Sequence, residues 1–131
     1  MPDKMMDITI AMDKLDKIGW VGVANELKER GITDDGIWQI ERAINVKGTN
    51  AEKLAAFSDI MQHSPLGIAG VNELSKTLAY YKDLYGNTDS LMVDISLARG
   101  LNYYTGVIVE VVCNHPDVKM GSIGGGGRYD D

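Results

Sequence analysis

The sequence has little cysteine, no long apolar run and no excess of positive charge. Its 131 residues include a single cysteine, Cys113, which excludes a disulfide within the chain. The apolar runs are far shorter than the roughly 20 residues that span a bilayer as a helix. The polar, acidic start is unlike a secretory signal peptide. We therefore expect a cytoplasmic protein with no membrane partner.

The shortage of positive charge limits nucleic-acid binding. The formal net charge is −6, with ten basic against fourteen acidic residues over 1–90 and three against five over 91–131. Because affinity for nucleic acids depends largely on neutralised phosphates, neither part is expected to bind RNA strongly in general. An RNA contact would require a local basic patch or residues outside this sequence.

The first two thirds of the chain are predicted to be helical. Apolar residues recur at helical spacing over residues 20–27, 37–44 and 71–85. Residues typical of helix starts and stops flank these stretches, namely Gly31, Thr33, Thr49 with Glu52, and Gly86. This pattern predicts four or five short helices.

The last third is predicted to form strands. Residues 91–97 and 107–112 are β-branched and apolar, and residues 120–124 could add a third strand. Short connections make the sheet antiparallel, and three strands alone need something packed on them. The predicted fold class is thus α+β, with a small helical bundle over residues 1–90 and a short antiparallel sheet segment over residues 91–131.

Two glycine-flanked motifs, each with an arginine and a tyrosine, stand out in this last third. The first motif, residues 99–106, reads Arg-Gly-Leu-Asn-Tyr-Tyr-Thr-Gly, and the second motif, residues 124–130, reads Gly-Gly-Gly-Gly-Arg-Tyr-Asp. Such motifs can line a pocket for a small polar aromatic or anionic ligand. The second motif ends almost at the last residue, so we expect the chain to be a fragment.

Residue types alone leave several interpretations of these motifs open. The glycine run lacks the spacing of a phosphate loop or a dinucleotide fingerprint. It is either a flexible linker or backbone that a ligand approaches closely, and the Arg-Tyr-Asp that follows favours the second interpretation. Arg99 is either a surface residue or a fork for phosphate or carboxylate. Tyr103 and Tyr104 are either core aromatics or, on opposite faces of an extended segment, one core and one ligand residue.

Other candidate sites have little support. Cys113 and His115 lie beside a turn, but a metal site needs more ligands and His63 is the only other histidine. No Ser-His-Asp or Cys-His pair has support elsewhere in the sequence, so we predict neither a metal site nor a hydrolase. The first helices carry four basic residues, Lys14, Lys17, Lys28 and Arg30. These residues form either a basic edge or, as is more common, a mixed face with neighbouring acidic residues.

At residues 99–106 and 125–130 the chain resembles the histidyl-tRNA synthetases. That family of class II aminoacyl-tRNA synthetases has two histidine-specific motifs in this order, about twenty residues apart, as here. Residues 13–17, Asp-Lys-Leu-Asp-Lys, resemble the segment that opens the family's insertion domain. The resemblance implies that residues 1–90 are this helical insertion domain, near the tRNA acceptor arm, and that residues 91–131 are catalytic-core strands.

The resemblance also implies a ligase reaction and roles for individual residues. The family activates histidine with ATP and Mg²⁺ to histidyl-adenylate and transfers histidine to tRNA(His). Arg99 matches the catalytic arginine that stabilises charge on the α-phosphate. The residues matching those that bind histidine or its adenylate are Tyr103, Tyr104, Gly125, Gly126, Gly127, Arg128 and Tyr129, with Tyr103 and Arg128 as secondary assignments. Asn102 stands where many relatives have aspartate, so it is given no acidic role.

What the chain lacks relative to the family bears on its own activity. The class II motifs that hold ATP and Mg²⁺ and build a homodimer are absent, as is an anticodon-binding domain. We therefore expect the chain alone to be inactive and its strands to be covered by self-association or by packing on the helices. Two alternatives remain. They are a histidine-sensing regulatory paralogue, which usually lacks a long helical insertion, and a stand-alone RNA-binding module, which the acidic balance disfavours.

Overall fold

The computed structural model describes residues 2–97 and 103–130. Within these residues five helices precede a two-stranded antiparallel sheet. The elements are α1 Pro2–Met12, α2 Leu15–Glu29, α3 Asp34–Ile44, α4 Asn50–Ile60, α5 Pro65–Tyr85, β1 Ile108–Val111 and β2 Gly124–Gly127. The chain forms two compact units, Met1–Gly100 and Leu101–Asp131.

Local side-chain caps begin helices α3 and α4. The hydroxyl of Thr33 accepts a hydrogen bond from the Gly36 amide at the start of α3. Thr49 and Glu52 form a reciprocal capping box at the start of α4, which confirms the predicted caps. Gly86 ends α5 in the left-handed conformation, with φ 81°, as expected of a glycine after the last helical turn.

Two clusters of buried side chains stabilise the helical unit. The first comprises Ala11, Met12, Val23 and Leu27. Sequence periodicity did not predict helix α1, because α1 is not marked by an apolar stripe of its own. This cluster accounts for α1, since the end of the helix is buried there against α2. The second cluster joins Phe57 of α4, Val71 of α5 and Val93 from the segment after α5.

The prediction of a strand over residues 91–97 is wrong. The side chain of Asn50 donates to the carbonyl of Leu91 and accepts from the amide of Val93, each at 2.9 Å. The ammonium group of Lys53 donates to the Val93 carbonyl, also at 2.9 Å. Backbone groups that would pair in a sheet are thus bonded to α4 side chains, and the apolar Val93 is buried among helices instead.

The second unit is built on a hairpin whose second strand is the glycine run itself. Ile108 pairs with Gly127 and Val111 with Gly124 in antiparallel register. A predicted third strand over residues 120–124 is replaced by this pairing, which begins at Gly124. Glycine has no side chain that could hinder the pairing, and its amide and carbonyl groups form interstrand hydrogen bonds as well as those of any other residue. The run is therefore a strand and not a linker.

Candidate functional site

The hairpin brings the described part of the first motif, residues 103–106, beside the second motif. Beyond the strands, the amide of Thr105 donates to the carbonyl of Arg128 at 2.8 Å, and the amide of Arg128 donates to the carbonyl of Val107 at 2.9 Å. These bonds continue the antiparallel pairing past β1 and β2. Residues of the first motif therefore lie directly opposite residues of the second.

Three polar side chains join the motifs and form what we call the polar cluster, Thr105, Arg128 and Asp130. The Thr105 hydroxyl donates to Oδ2 of Asp130 at 2.5 Å and accepts from the Asp130 amide at 3.2 Å. Nη2 of Arg128 donates to the Thr105 carbonyl at 2.6 Å, and its Nε donates to Oδ2 of Asp130 at 3.0 Å. The Thr105 hydrogen bond, and then the charge of Arg128, lower the pKa of Asp130 and so favour its ionised form.

The three tyrosines of the two motifs also lie together. The ring centroids of Tyr103 and Tyr104 are 4.6 Å apart. The rings of Tyr103 and Tyr129 meet edge to face, with their centroids 5.8 Å apart. Tyr103 and Tyr129 are 48% and 62% exposed, whereas Tyr104 is half-buried. The sequence left open an arrangement with Tyr103 and Tyr104 on opposite faces of an extended segment, but Tyr103 lies in a turn and its ring contacts that of Tyr104.

The glycine strand passes close under one of these rings. A Cβ added to Gly127 would lie 2.6 Å from Cδ1 of Tyr104, far closer than real side chains approach each other. A Cβ added to Gly126 would meet nothing within 4 Å, so the backbone there is open. The absence of a side chain at Gly127 thus allows the close contact with Tyr104. At Gly126 the backbone surface remains open.

Not every predicted site residue can be placed. Arg99 and Asn102 lie outside the described residues. Tyr103, Tyr104, Gly127, Arg128 and Tyr129 come together around the hairpin end, as described above. Thr105 and Asp130 were not predicted as site residues, although each is a polar residue directly beside a tyrosine of its motif, which is a signal that could have been used.

The bases of the first helices form a mixed face. Glu26 accepts hydrogen bonds from both Lys14 and Arg30, at 2.8 Å for the closest bond of each, and Arg30 also pairs with Asp7 at 2.9 Å. The bond from Lys14, then that from Arg30, lowers the pKa of Glu26. A further pair, between Lys28 and Asp34, measures 3.0 Å. These acidic residues offset the positive charge that would otherwise attract phosphates, which favours the mixed face over a basic RNA-binding edge.

The described residues hold neither a metal-ligand cluster nor a membrane-spanning helix. Over residues 2–97 and 103–130, no group of three or more His, Cys, Asp or Glu side chains is placed to hold a metal ion. Within those ranges no helix combines the length and apolar character needed to cross a bilayer.

Comparisons with known proteins show which family this chain resembles in sequence. The family model described as histidyl-tRNA synthetase matches residues 10–131. Relatives named histidine–tRNA ligase are 50% identical in Flavobacterium johnsoniae and 47% identical in Bacteroides fragilis, each over 98% of this chain. The chain spans only 27% and 28% of the lengths of these two relatives.

A solved structure matches as well. The crystal structure of histidyl-tRNA synthetase from Nostoc sp. PCC 7120 superposes on the whole of this chain with a TM-score of 0.86 and 29% identity, over 31% of its own length. Sequence and fold agree, and the two motifs lie within the matched residues. The chain belongs to the histidyl-tRNA synthetase family.

Proposed function

We propose that this chain serves as part of a histidine–tRNA ligase and supplies its histidine-recognising surface. In this proposal the enzyme activates histidine with ATP and passes it to tRNA(His). The observation that carries the proposal is the meeting of both motifs at one end of the hairpin, with three tyrosines in ring contact there. A pair of histidine-specific motifs acts as one site only if the fold brings them together.

The chemistry of the tyrosines suits a histidine side chain. A neutral imidazole has one nitrogen that donates and one that accepts a hydrogen bond, and a phenol hydroxyl can pair with either. We assign Tyr104 and Tyr129 to this recognition, with Tyr103, in contact with both rings, in a secondary role. Aromatic rings that meet edge to face also offer a surface on which a further ring can pack.

The glycine strand complements these rings. We assign the backbone of Gly125–Gly127 to close approach by the bound histidine or its adenylate. Gly126 supports this assignment because a Cβ there would have no neighbouring atom within 4 Å, whereas at Gly127 the Cβ position is already occupied by the ring of Tyr104. We assign Arg128 a secondary role in substrate binding. In the described structure its guanidinium bonds to Thr105 and Asp130, so its contribution to the site includes holding the second motif in place.

Arg99 is the proposed catalytic residue. In adenylation a carboxylate oxygen of histidine attacks the α-phosphorus of ATP and pyrophosphate leaves, so negative charge builds up on the α-phosphate oxygens. An arginine keeps its charge at every physiological pH and presents a fixed fork of donors to such oxygens. Stabilisation of that developing charge by a preorganised cation lowers the barrier to adenylation.

The remaining parts of the proposal concern the whole enzyme. Residues 1–90 are proposed to act as the insertion domain near the tRNA acceptor arm, and residues 91–131 as part of the catalytic core. ATP is a substrate, and Mg²⁺ would neutralise its phosphates. Since the described residues offer no cluster of metal ligands, we assign no Mg²⁺ ligand to them. We further propose a cytoplasmic homodimer.

A hybrid enzyme tests this function. The hybrid is the Flavobacterium johnsoniae ligase with its matching segment replaced by this chain, which is 50% identical to it. We expect it to catalyse histidine-dependent ATP–pyrophosphate exchange, while the chain alone stays at background. Arg99→Ala should lower kcat by about 10²–10³-fold, the usual cost of losing one transition-state donor, with the KM for histidine changed far less.

The matched control removes a positive charge elsewhere in the same part of the chain. Lys119→Ala should leave both kcat and KM close to those of the unsubstituted hybrid. A hybrid without exchange activity would overturn the proposed function. An Arg99→Ala hybrid in which adenylation and histidine binding weaken by the same factor would overturn the transition-state role of Arg99 alone.

A further inference from the structure

In the polar cluster of Thr105, Arg128 and Asp130, each residue is hydrogen-bonded to the other two. The Thr105 hydroxyl both donates to the Asp130 carboxylate and accepts from the Asp130 amide. Arg128 bonds to a backbone carbonyl of the first motif and to a carboxylate of the second. Each of the three residues is therefore held by the other two, across 25 residues of sequence between Thr105 and Asp130.

Fold stability does not account for this cluster. The side chains of Arg128 and Asp130 are 50% and 63% exposed, and Thr105 is exposed as well. Water screens such exposed ion pairs, and they usually contribute little to the free energy of unfolding. A cluster with little effect on unfolding can still fix the orientation of its neighbours.

Those neighbours are the tyrosines of the proposed site. Tyr104 directly precedes Thr105, and Tyr129 lies between Arg128 and Asp130. The polar cluster therefore fixes the backbone next to both tyrosines. The ring of Tyr103 touches the rings of Tyr104 and Tyr129, so the three rings share one arrangement, and a shift at either motif would change it.

We propose that Thr105 and Asp130 are positioning residues that hold Tyr104 and Tyr129 in the geometry that binds histidine. This inference rests on the function proposed above. Neither residue needs to touch the substrate. The hydroxyl of Thr105 is required because it donates and accepts at once, and the carboxylate of Asp130 is required because it accepts from both Thr105 and Arg128.

Substitutions at Thr105 separate its hydroxyl from its shape. Thr105→Val keeps the shape of the side chain and removes both of its bonds to Asp130, whereas Thr105→Ser keeps the hydroxyl. In the hybrid enzyme we expect Thr105→Val to raise the KM for histidine by about tenfold or more, because small displacements of recognition groups are costly. The KM for ATP should stay within about twofold, and Thr105→Ser should restore the KM for histidine.

A second variant and two controls complete the experiment. Asp130→Asn keeps an acceptor but loses the charge that Arg128 faces, and it should also raise the KM for histidine selectively. Ser122→Ala removes an exposed hydroxyl bonded to the Gly124 carbonyl, and Asp117→Asn removes an exposed charge in the same unit; both should leave the kinetics unchanged. All rates are divided by the fraction of active enzyme from active-site titration, so that partly unfolded protein does not alter the comparison.

The possible outcomes distinguish the two proposals. An active hybrid in which Thr105→Val and Asp130→Asn leave the KM for histidine unchanged, or only reduce the active fraction, would overturn the positioning role and leave the proposed function standing. A selective rise in the KM for histidine with rescue by serine supports the positioning role. An unsubstituted hybrid without exchange activity would overturn the proposed function, and the positioning role with it.

Discussion

Two glycines of one strand are subject to different constraints at the scale of the residue. At Gly127 a Cβ would overlap Cδ1 of Tyr104 at 2.6 Å and press on Cγ2 of Ile108 at 3.0 Å. At Gly126 a Cβ would find no atom within 4 Å. Tyr104 is half-buried against the strand, so it cannot move away without losing that contact. The absence of a side chain therefore matters for packing at Gly127 but not at Gly126.

Alanine substitutions should show this difference. Gly127→Ala is expected to destabilise the hairpin by about 1–3 kcal/mol, the usual cost of overpacking. Gly126→Ala, the matched control in the same strand, should have a much smaller effect. Hydrogen exchange of the Arg128 amide, which donates to Val107, measures the local stability directly. Similar exchange rates in both variants would show that the Tyr104 contact does not constrain the strand.

At this scale the sequence indicates residue types but not contacts. The tyrosines and glycines of the proposed site come from the two motifs. The bond between Thr105 and Asp130 does not, because it joins residues 25 positions apart and depends on the register of the hairpin. Similarly, the contact between Tyr103 and Tyr104 depends on a turn that the pattern of residues does not specify.

At the scale of the element, helix α4 determines the conformation of the segment after α5. The side-chain amide of Asn50 donates to the Leu91 carbonyl and accepts from the Val93 amide, both at 2.9 Å. The backbone of a neighbouring strand would make the same two kinds of bond. Helix caps such as Thr49 with Glu52 could be predicted because they act over three residues. The Asn50 contact acts over more than forty residues, so the apolar pattern of residues 91–97 predicted a strand that does not form.

Removal of the Asn50 amide should weaken the helical unit. Asn50→Ala leaves the partly buried carbonyl of Leu91 and amide of Val93 without these bonds, and we expect a loss of about 1–3 kcal/mol. Asn50→Asp keeps only the acceptor, so its free energy of unfolding should lie between those of Asn50→Ala and the unsubstituted chain. Urea unfolding followed by tryptophan fluorescence measures this loss, since Trp20 and Trp38 both belong to the helical unit.

The control for this series is Asn87→Ala, which removes a short-range bond from the Asp89 amide to an exposed asparagine. It should change the free energy of unfolding by no more than a few tenths of a kcal/mol, as is usual for surface substitutions. If Asn50→Ala proved as mild as Asn87→Ala, the segment after α5 would be held by the burial of Val93 and not by the Asn50 amide.

At the scale of the whole molecule, the second unit exposes several large apolar side chains. Several large apolar side chains of residues 109–123 are exposed, namely Val109, Val111, Val112, Val118, Met120 and Ile123. The hairpin has two strands in the described residues, and two strands alone are marginally stable in water. The chain also spans just over a quarter of the length of its relatives, so in a longer synthetase other residues could cover this surface.

We therefore expect the chain by itself to self-associate through the hairpin. Exposed strand edges and apolar faces favour pairing between copies, so the average mass in sedimentation or light scattering should rise with concentration. The double substitution Val109→Thr and Val111→Thr keeps the shape of both side chains, adds hydroxyls and should shift the chain toward the monomer. Val21→Thr, at an exposed position of α2, is the matched control and should leave the association unchanged. A chain that stays monomeric at high concentration, while the β1 and β2 amides remain protected from exchange, would show that the hairpin needs no partner.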